Sequence, residues 1–263
     1  MYGRLPIAKM LAATVAMTAA ISAVMLSINW DGPEASTAAP KIDDLLNVMI
    51  VLSSFVFSLV IVALFYALWK FKAKPGDESD GEPIHGNTKL EIAWTVIPTI
   101  IVLFGAGYSW SVLNDIEKLD KNPLTVDVFS QQYAWSFGYP GKGDVYVQGE
   151  MHVPVNRQIQ FKMHAQDVIH SFWVPEWRIK KDNVPGITTT AIVTPDKLGT
   201  YQLICTELCG FGHASMRAKV VVETPASFQK WVSSLEEKVP APLAESITQD
   251  TETNPTPLNA GGA

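Results

Sequence analysis

Hydrophobic and polar positions divide this chain into two regimes. In the first, apolar residues run on without charge: Met10 to Trp30 over 21 residues, Leu45 to Trp69 over 25, and Ile92 to Asn114 over 23. At a rise of about 1.5 Å per residue, each predicts a helix able to cross a hydrocarbon core about 30 Å thick. In the second, from Pro123 to about Glu223, apolar and polar residues alternate. Period two predicts short strands at 124–129, 144–148, 158–163, 190–194, 200–204 and 219–222. Turn residues separate them at Tyr139-Pro140-Gly141, Val153-Pro154, Val184-Pro185-Gly186, Thr194-Pro195-Asp196 and Leu198-Gly199. Strands at that spacing predict a β-sandwich or barrel of about 100 residues. Pro225 to Lys238 reads as a short amphipathic helix, with Thr224 as N-cap and Pro225 at the first helical position.

The layout that follows has four parts. Residues 1–40 are a signal peptide or an additional N-terminal transmembrane segment. Arg4 and Lys9 precede an alanine-rich apolar run, and Ala35 to Ala39 is a small-residue patch suited to cleavage. Residues 41–114 form a two-helix transmembrane hairpin around a loop at 70–91. That loop holds Lys70, Lys72, Lys74 and Lys89, whereas residues 31–44 hold Lys41 against Asp31, Glu34, Asp43 and Asp44. Positive charge marks the cytoplasmic side, so everything after Asn114 lies outside. Trp69, Trp94, Tyr108 and Trp110 fall near the span ends, where interfacial aromatics belong. Pro98 lies inside the third stretch and points to a neighbouring membrane subunit. Residues 115–238 are the exterior domain, and 239–263, rich in Pro, Ala, Thr and acid, read as a disordered tail.

Composition narrows the function. Charged residues make up 17% of the chain, well under the ~25% of a soluble domain. A net charge of −6 argues against a nucleic-acid partner. The exterior portion carries 17 acids against 13 bases, which modestly favours a basic protein partner at close range.

The chemistry concentrates in one run, Cys205-Thr206-Glu207-Leu208-Cys209-Gly210-Phe211-Gly212-His213-Ala214-Ser215-Met216, which holds both cysteines of the chain. A second imidazole, His170, lies upstream in Asp167-Val168-Ile169-His170-Ser171-Phe172. Four readings compete. A Cys205–Cys209 disulfide suits an oxidising compartment but leaves His213 and Met216 idle. A zinc site from two cysteines and two histidines leaves Met216 idle. A mononuclear blue-copper site needs only one cysteine. A dinuclear copper centre uses every group: two bridging thiolates, His170 and His213 each on one metal, and Met216 and a backbone carbonyl as weak axial contacts. Such a centre shares one electron over both metals and rearranges little, which favours fast electron transfer. His152, His164 and His85 fall outside this set and read as surface or strand-edge residues.

These motifs resemble subunit II of heme–copper cytochrome c oxidases, over about Ile42 to Lys238. CTELCGFGHASM matches that family's dinuclear copper loop, DVIHSFWVP its upstream ligand strand, and NTKLEIAWTVIP the start of its second spanning helix. The resemblance implies a transmembrane helical hairpin bearing an extracytoplasmic, cupredoxin-like Greek-key domain in the cell's plasma (inner) membrane. It implies electron transfer from cytochrome c to heme in subunit I, within a complex that also holds subunit III, reduces oxygen to water and pumps protons. On this chain the copper A ligands would be His170, Cys205, Glu207 through its carbonyl, Cys209, His213 and Met216. The Glu207 side chain would face magnesium at the subunit I interface, and Glu91 would stand at the entrance of a proton path. The family's exposed tryptophan position falls on Tyr133 in Gln132-Tyr133-Ala134-Trp135-Ser136-Phe137, so Tyr133 or Trp135 would accept the electron. Heme is not expected in this chain, because both cysteines are committed to the copper loop. The alternative is a copper-bearing subunit of another respiratory reductase, of the nitric oxide reductase type. Relatives that oxidise quinol lack the copper ligands.

Overall fold

The computed structural model describes residues 6–30, 32–73, 75–76, 85–139 and 145–235. The tail read at 239–263, the last three residues of the 225–238 helix and part of the 70–91 loop lie outside these. The chain divides into two compact units.

The first unit contains three helices, α1 (Ile7–Leu26), α2 (Ala39–Lys70) and α3 (Thr88–Ile116). All three are long and apolar enough to cross a membrane. Their surface suits lipid rather than water: Phe65, Trp69, Val102, Leu103 and Trp110 are exposed, and no described residue of α3 is buried. Within the spans, α1 and α2 bury small hydroxylated residues, Thr14 and Ser22 on one, Ser54 and Ser58 on the other. These are the residue types that let helices approach closely in lipid. Lys41 near the start of α2 pairs with Asp115 near the end of α3, as an antiparallel hairpin requires.

The second unit is a sandwich of two five-stranded sheets. Its strands are β1 (Leu124–Gln131), β2 (Ala134–Tyr139), β3 (Val145–Gln148), β4 (Glu150–Pro154), β5 (Ile159–Ala165), β6 (His170–Val174), β7 (Ile179–Asn183), β8 (Thr189–Val193), β9 (Gly199–Cys205) and β10 (Arg217–Glu223), followed by helix α4 (Pro225–Leu235). One sheet runs β3-β2-β1-β5-β8 and the other β4-β10-β9-β6-β7. β1 pairs with β5, and β4 with β10, in parallel; the other neighbours are antiparallel. Val126 and Val128, Trp135 and Phe137, Phe161 and Met163, Phe172 and Val174, Leu203, and Val220 meet in one core.

Four strands escape the period-two pattern, each for a local reason; β6 does so because His170, Ser171, Phe172 and Val174 are all buried, leaving no alternation. β2 buries Trp135, Phe137, Gly138 and Tyr139 almost consecutively. β7 is a polar edge strand, Ile-Lys-Lys-Asp-Asn. β4 is buried on both faces, since Met151 and Val153 face the core while α4 covers the other side. The Val153-Pro154 turn is therefore corrected: Pro154 ends an edge strand, where its missing N–H breaks no ladder.

His152, read as a surface or strand-edge residue, lies on the edge strand β4 but is buried, 8% exposed. Its ring stacks on Trp231 of α4 at 3.9 Å, and its nitrogens lie 2.8 Å from Glu150 and 2.8 Å from Glu223. Burial would raise the Glu150 carboxyl, but hydrogen bonds from His152 and Lys219 outweigh it and hold it below the usual range. A carboxylate with a lowered folded pKa stabilises above its unfolded value of about 4 and loses that contribution as pH falls through the lower value. We therefore expect Glu150→Gln to narrow the difference in melting temperature between pH 7 and acid below about pH 4. An unchanged difference would remove Glu150 from the acid response.

Residues 32–40, grouped by sequence with the first apolar stretch, belong instead to the sandwich unit. Ala35, Ser36 and Ala39 are buried there. Ala35 N–H donates to Glu176 at 2.7 Å, Thr37 N–H to Thr194 at 3.0 Å, and Ser36 Oγ to Trp177 at 3.0 Å.

Candidate metal centre

The sheet register places the chemistry. His170, Phe172 and Val174 face the core from β6, and Leu203 and Cys205 do so from β9. Phe172 pairs with Cys205 across these neighbouring strands. His170 and Cys205 are therefore the last core-facing positions at one end of the sandwich, dry and held by two ladders.

From Cys205 the chain leaves β9, and the loop returns to begin β10. Cys205 N–H donates to Met216 O at 3.1 Å, closing the loop at its neck. Inside it, His213 N–H donates to Gly210 O at 3.1 Å and Met216 N–H to His213 O at 3.2 Å, around a single 3-10 turn at His213–Ser215. Gly210 has φ +133°, and a β-carbon there would lie 2.7 Å from the Tyr133 hydroxyl. At Gly212 it would lie 2.5 Å from the Tyr133 ring. Only glycine lets that ring rest on the loop.

The sulfurs of Cys205 and Cys209 are 3.9 Å apart and both cysteines are free, so the pair is not the disulfide, whose sulfurs sit about 2.05 Å apart. The donors divide between them. His170 Nδ1 lies 3.9 Å and the Glu207 carbonyl oxygen 3.4 Å from Cys205 Sγ. His213 Nδ1 lies 3.6 Å and Met216 Sδ 3.7 Å from Cys209 Sγ. His170, Cys205 and Cys209 bring their ligand atoms within 4.8 Å of one another, all buried. Metal–sulfur bonds of about 2.3 Å reach across the sulfur gap from either side. Six donors exceed the needs of one tetrahedral ion and would serve two. Soft sulfur with imidazole suits copper.

Burial, then the neighbouring Cys205, pushes the Cys209 thiol up to about 11. A bound metal must displace that proton. Asp167 carries no role in the motif reading, yet its Oδ1 lies 2.8 Å from His170 Nε2. That contact assigns the proton to Nε2 and leaves Nδ1 free to face the sulfurs. Burial opposes ionisation of Asp167, but hydrogen bonds from His170 and from the N–H groups of Gln132 and Val168 hold its carboxyl below the usual range. An acid three residues before a ligand histidine was the legible hint; Gln132 gave none.

The other sequence-selected residues fall as follows. Tyr133 is 39% exposed, whereas Trp135 is 0% exposed, edge-on to Phe172 at 6.1 Å and 6.2 Å from His170. The Glu207 side chain is exposed. Glu91, in the first turn of α3, accepts the Asn87 N–H at 3.2 Å while Asn87 Oδ1 accepts the Leu90 N–H at 3.2 Å, a reciprocal cap. His85 is exposed, and His164 is partly buried near Asp127 and Thr188.

Fold and donor set together define a membrane-anchored copper protein of the cupredoxin type. Two family models match the chain, cytochrome c oxidase subunit II, transmembrane domain, over residues 16–112, and cytochrome c oxidase subunit II, periplasmic domain, over residues 144–224. Cytochrome c oxidase subunit 2 of Synechocystis sp. is 35% identical, covering 79% of this chain and 75% of that protein. The Thermostichus vulcanus subunit 2 is 32% identical, covering 88% of each. The crystal structure of the periplasmic domain of the Bradyrhizobium japonicum subunit II is 30% identical over 46% of this chain and 99% of that one, with a TM-score of 0.44. The chain belongs to the cytochrome c oxidase subunit II family. It is thus a membrane protein with an extracytoplasmic copper domain and a subunit of a heme–copper oxidoreductase complex.

Proposed function

We propose that this chain accepts electrons singly from a cytochrome c outside the membrane and passes them to heme in subunit I, where oxygen reduction drives proton pumping. The observation that carries this reading is the pair of free thiols at 3.9 Å, each with its own imidazole. Copper bound there would supply a low-reorganisation electron relay. The protein's part is to keep the site dry and fixed: β6 and β9 hold His170 and Cys205, the loop neck holds Met216, and Asp167 orients His170. A complete donor set favours cytochrome c over quinol as donor.

Tyr133 is the residue that admits the electron, since it is exposed and lies on the copper loop while Trp135 is sealed in the core. The Glu207 carboxylate, which is exposed, would hold magnesium against subunit I, while its carbonyl oxygen lies 3.4 Å from Cys205 Sγ. Glu91 serves the proton path from the cytoplasmic end of α3 while capping that helix. Truncating an interfacial aromatic costs about 1–2 kcal/mol. Tyr133→Ala is therefore expected to slow reduction of the assembled oxidase by cytochrome c about tenfold in stopped-flow traces, with its copper spectrum unchanged. Wild-type kinetics would move the site of electron acceptance elsewhere.

A further inference from the structure

Gln132 opens the aromatic run but carries no assigned role there; it is exposed and is bonded at both ends to the metal centre's support. Its backbone N–H donates to Asp167 Oδ2 at 2.7 Å, and its side-chain Nε2 donates to the Cys209 carbonyl at 2.5 Å. The other oxygen of Asp167 bonds His170 Nε2 at 2.8 Å. We propose that Gln132 is a positioning residue: a brace that ties the Cys209 turn to the strand bearing His170, so that the two halves of the donor set keep one geometry. The proposal rests on the copper reading for its spectroscopic consequence, but not for its geometry.

Several observations converge on this role. His170 and Cys209 come from different parts of the fold, one from a sheet and one from a loop whose backbone bonds lie at its neck and in the turn after Gly210. A sheet ladder fixes His170; nothing comparable in the ladders fixes Cys209, which precedes Gly210 at φ +133°. The amide of Gln132 holds the carbonyl of that turn, and through it the placement of Cys209 Sγ against His213 Nδ1 and Met216 Sδ. The next residue, Tyr133, lies directly over Gly210 and Gly212. One short segment therefore sets the loop and seats the exposed aromatic on it. Because Gln132 itself is exposed, replacing it removes the brace without opening the core.

The test uses the full chain, copper-free and in the assembled complex, as wild type, Gln132→Leu and Gln132→Glu. Leucine removes the donor; glutamate keeps the length but presents an acceptor to the carbonyl. In the copper-free chain, hydrogen exchange at the amides of His213, Ser215 and Met216 should accelerate about three- to tenfold in both variants, the scale of one hydrogen bond. In the assembled complex, both should keep two copper ions but alter the hyperfine spacing of the mixed-valence EPR signal. Wild-type exchange in both variants overturns the brace, as does faster exchange with an unaltered signal. A wild-type complex without copper would strike the copper reading instead, and the exchange measurement alone would then decide whether Gln132 holds the loop.

Discussion

A Cys209→Ser exchange is expected to abolish the dinuclear centre and cut cytochrome c-driven oxygen uptake of the assembled complex by more than about 100-fold. Outer-shell substitutions at metal sites already cost about 10- to 100-fold, and this one would remove a sulfur proposed to hold the metal itself. Serine offers a harder oxygen that stays protonated at neutral pH, so neither ion would keep its shared sulfur. Cys209 lies on the loop rather than in a ladder, and serine nearly matches its size. The sheets should therefore stay folded, with the circular dichroism of the wild type. Copper content and oxygen uptake measured on the same preparation check this. Retention of two copper ions with normal turnover would remove Cys209 from the site.

Trp135→Ala should act through stability instead. Trp135 is fully buried on β2 and packs edge-on to Phe172 and His170. Truncating a buried tryptophan costs about 3–5 kcal/mol, which for a domain of this size lowers the melting temperature by more than about 10 °C. The adjacent Tyr133→Ala, at an exposed ring, should leave the melt nearly unchanged while slowing reduction by cytochrome c. A stable Trp135→Ala protein with slow reduction would exchange the roles of the two residues. The contrast matters because the motif alone admits both aromatics, and only burial separates them.

The legible parts of this protein were those with a one-dimensional signature. Charge-free runs of more than twenty residues announce spanning helices, because a charge in hydrocarbon is costly at any position. The run from Cys205 to Met216 announces a soft-metal site, because four ligand types within twelve residues leave few other chemistries. Strands with one face in the core also read correctly, as in β1, β5 and β10, whose burial alternates. Where both faces are covered, alternation disappears: β4 gives no period-two signal, and the burial of His152 on that edge strand is not legible, because α4, distant in sequence, packs over them. Long-range partners were equally silent. The bond from Gln132 to Cys209 spans 77 positions, and the docking of Ser36 on Trp177 spans 141. No local pattern encodes such pairings. Glu91 illustrates the reverse case: an acid at the start of a helix is legible in sequence, and the structure shows it accepting the Asn87 N–H there.

On the proposed reading, Cys205 and Cys209 would together hold two copper ions that relay single electrons. Elemental analysis joined to EPR of the fully assembled, mixed-valence complex tests it most directly. The expected result is two copper ions per chain and a hyperfine pattern from one electron shared equally by two copper nuclei. One copper ion with a single-nucleus pattern, or a Cys205–Cys209 disulfide with no bound metal, would contradict it.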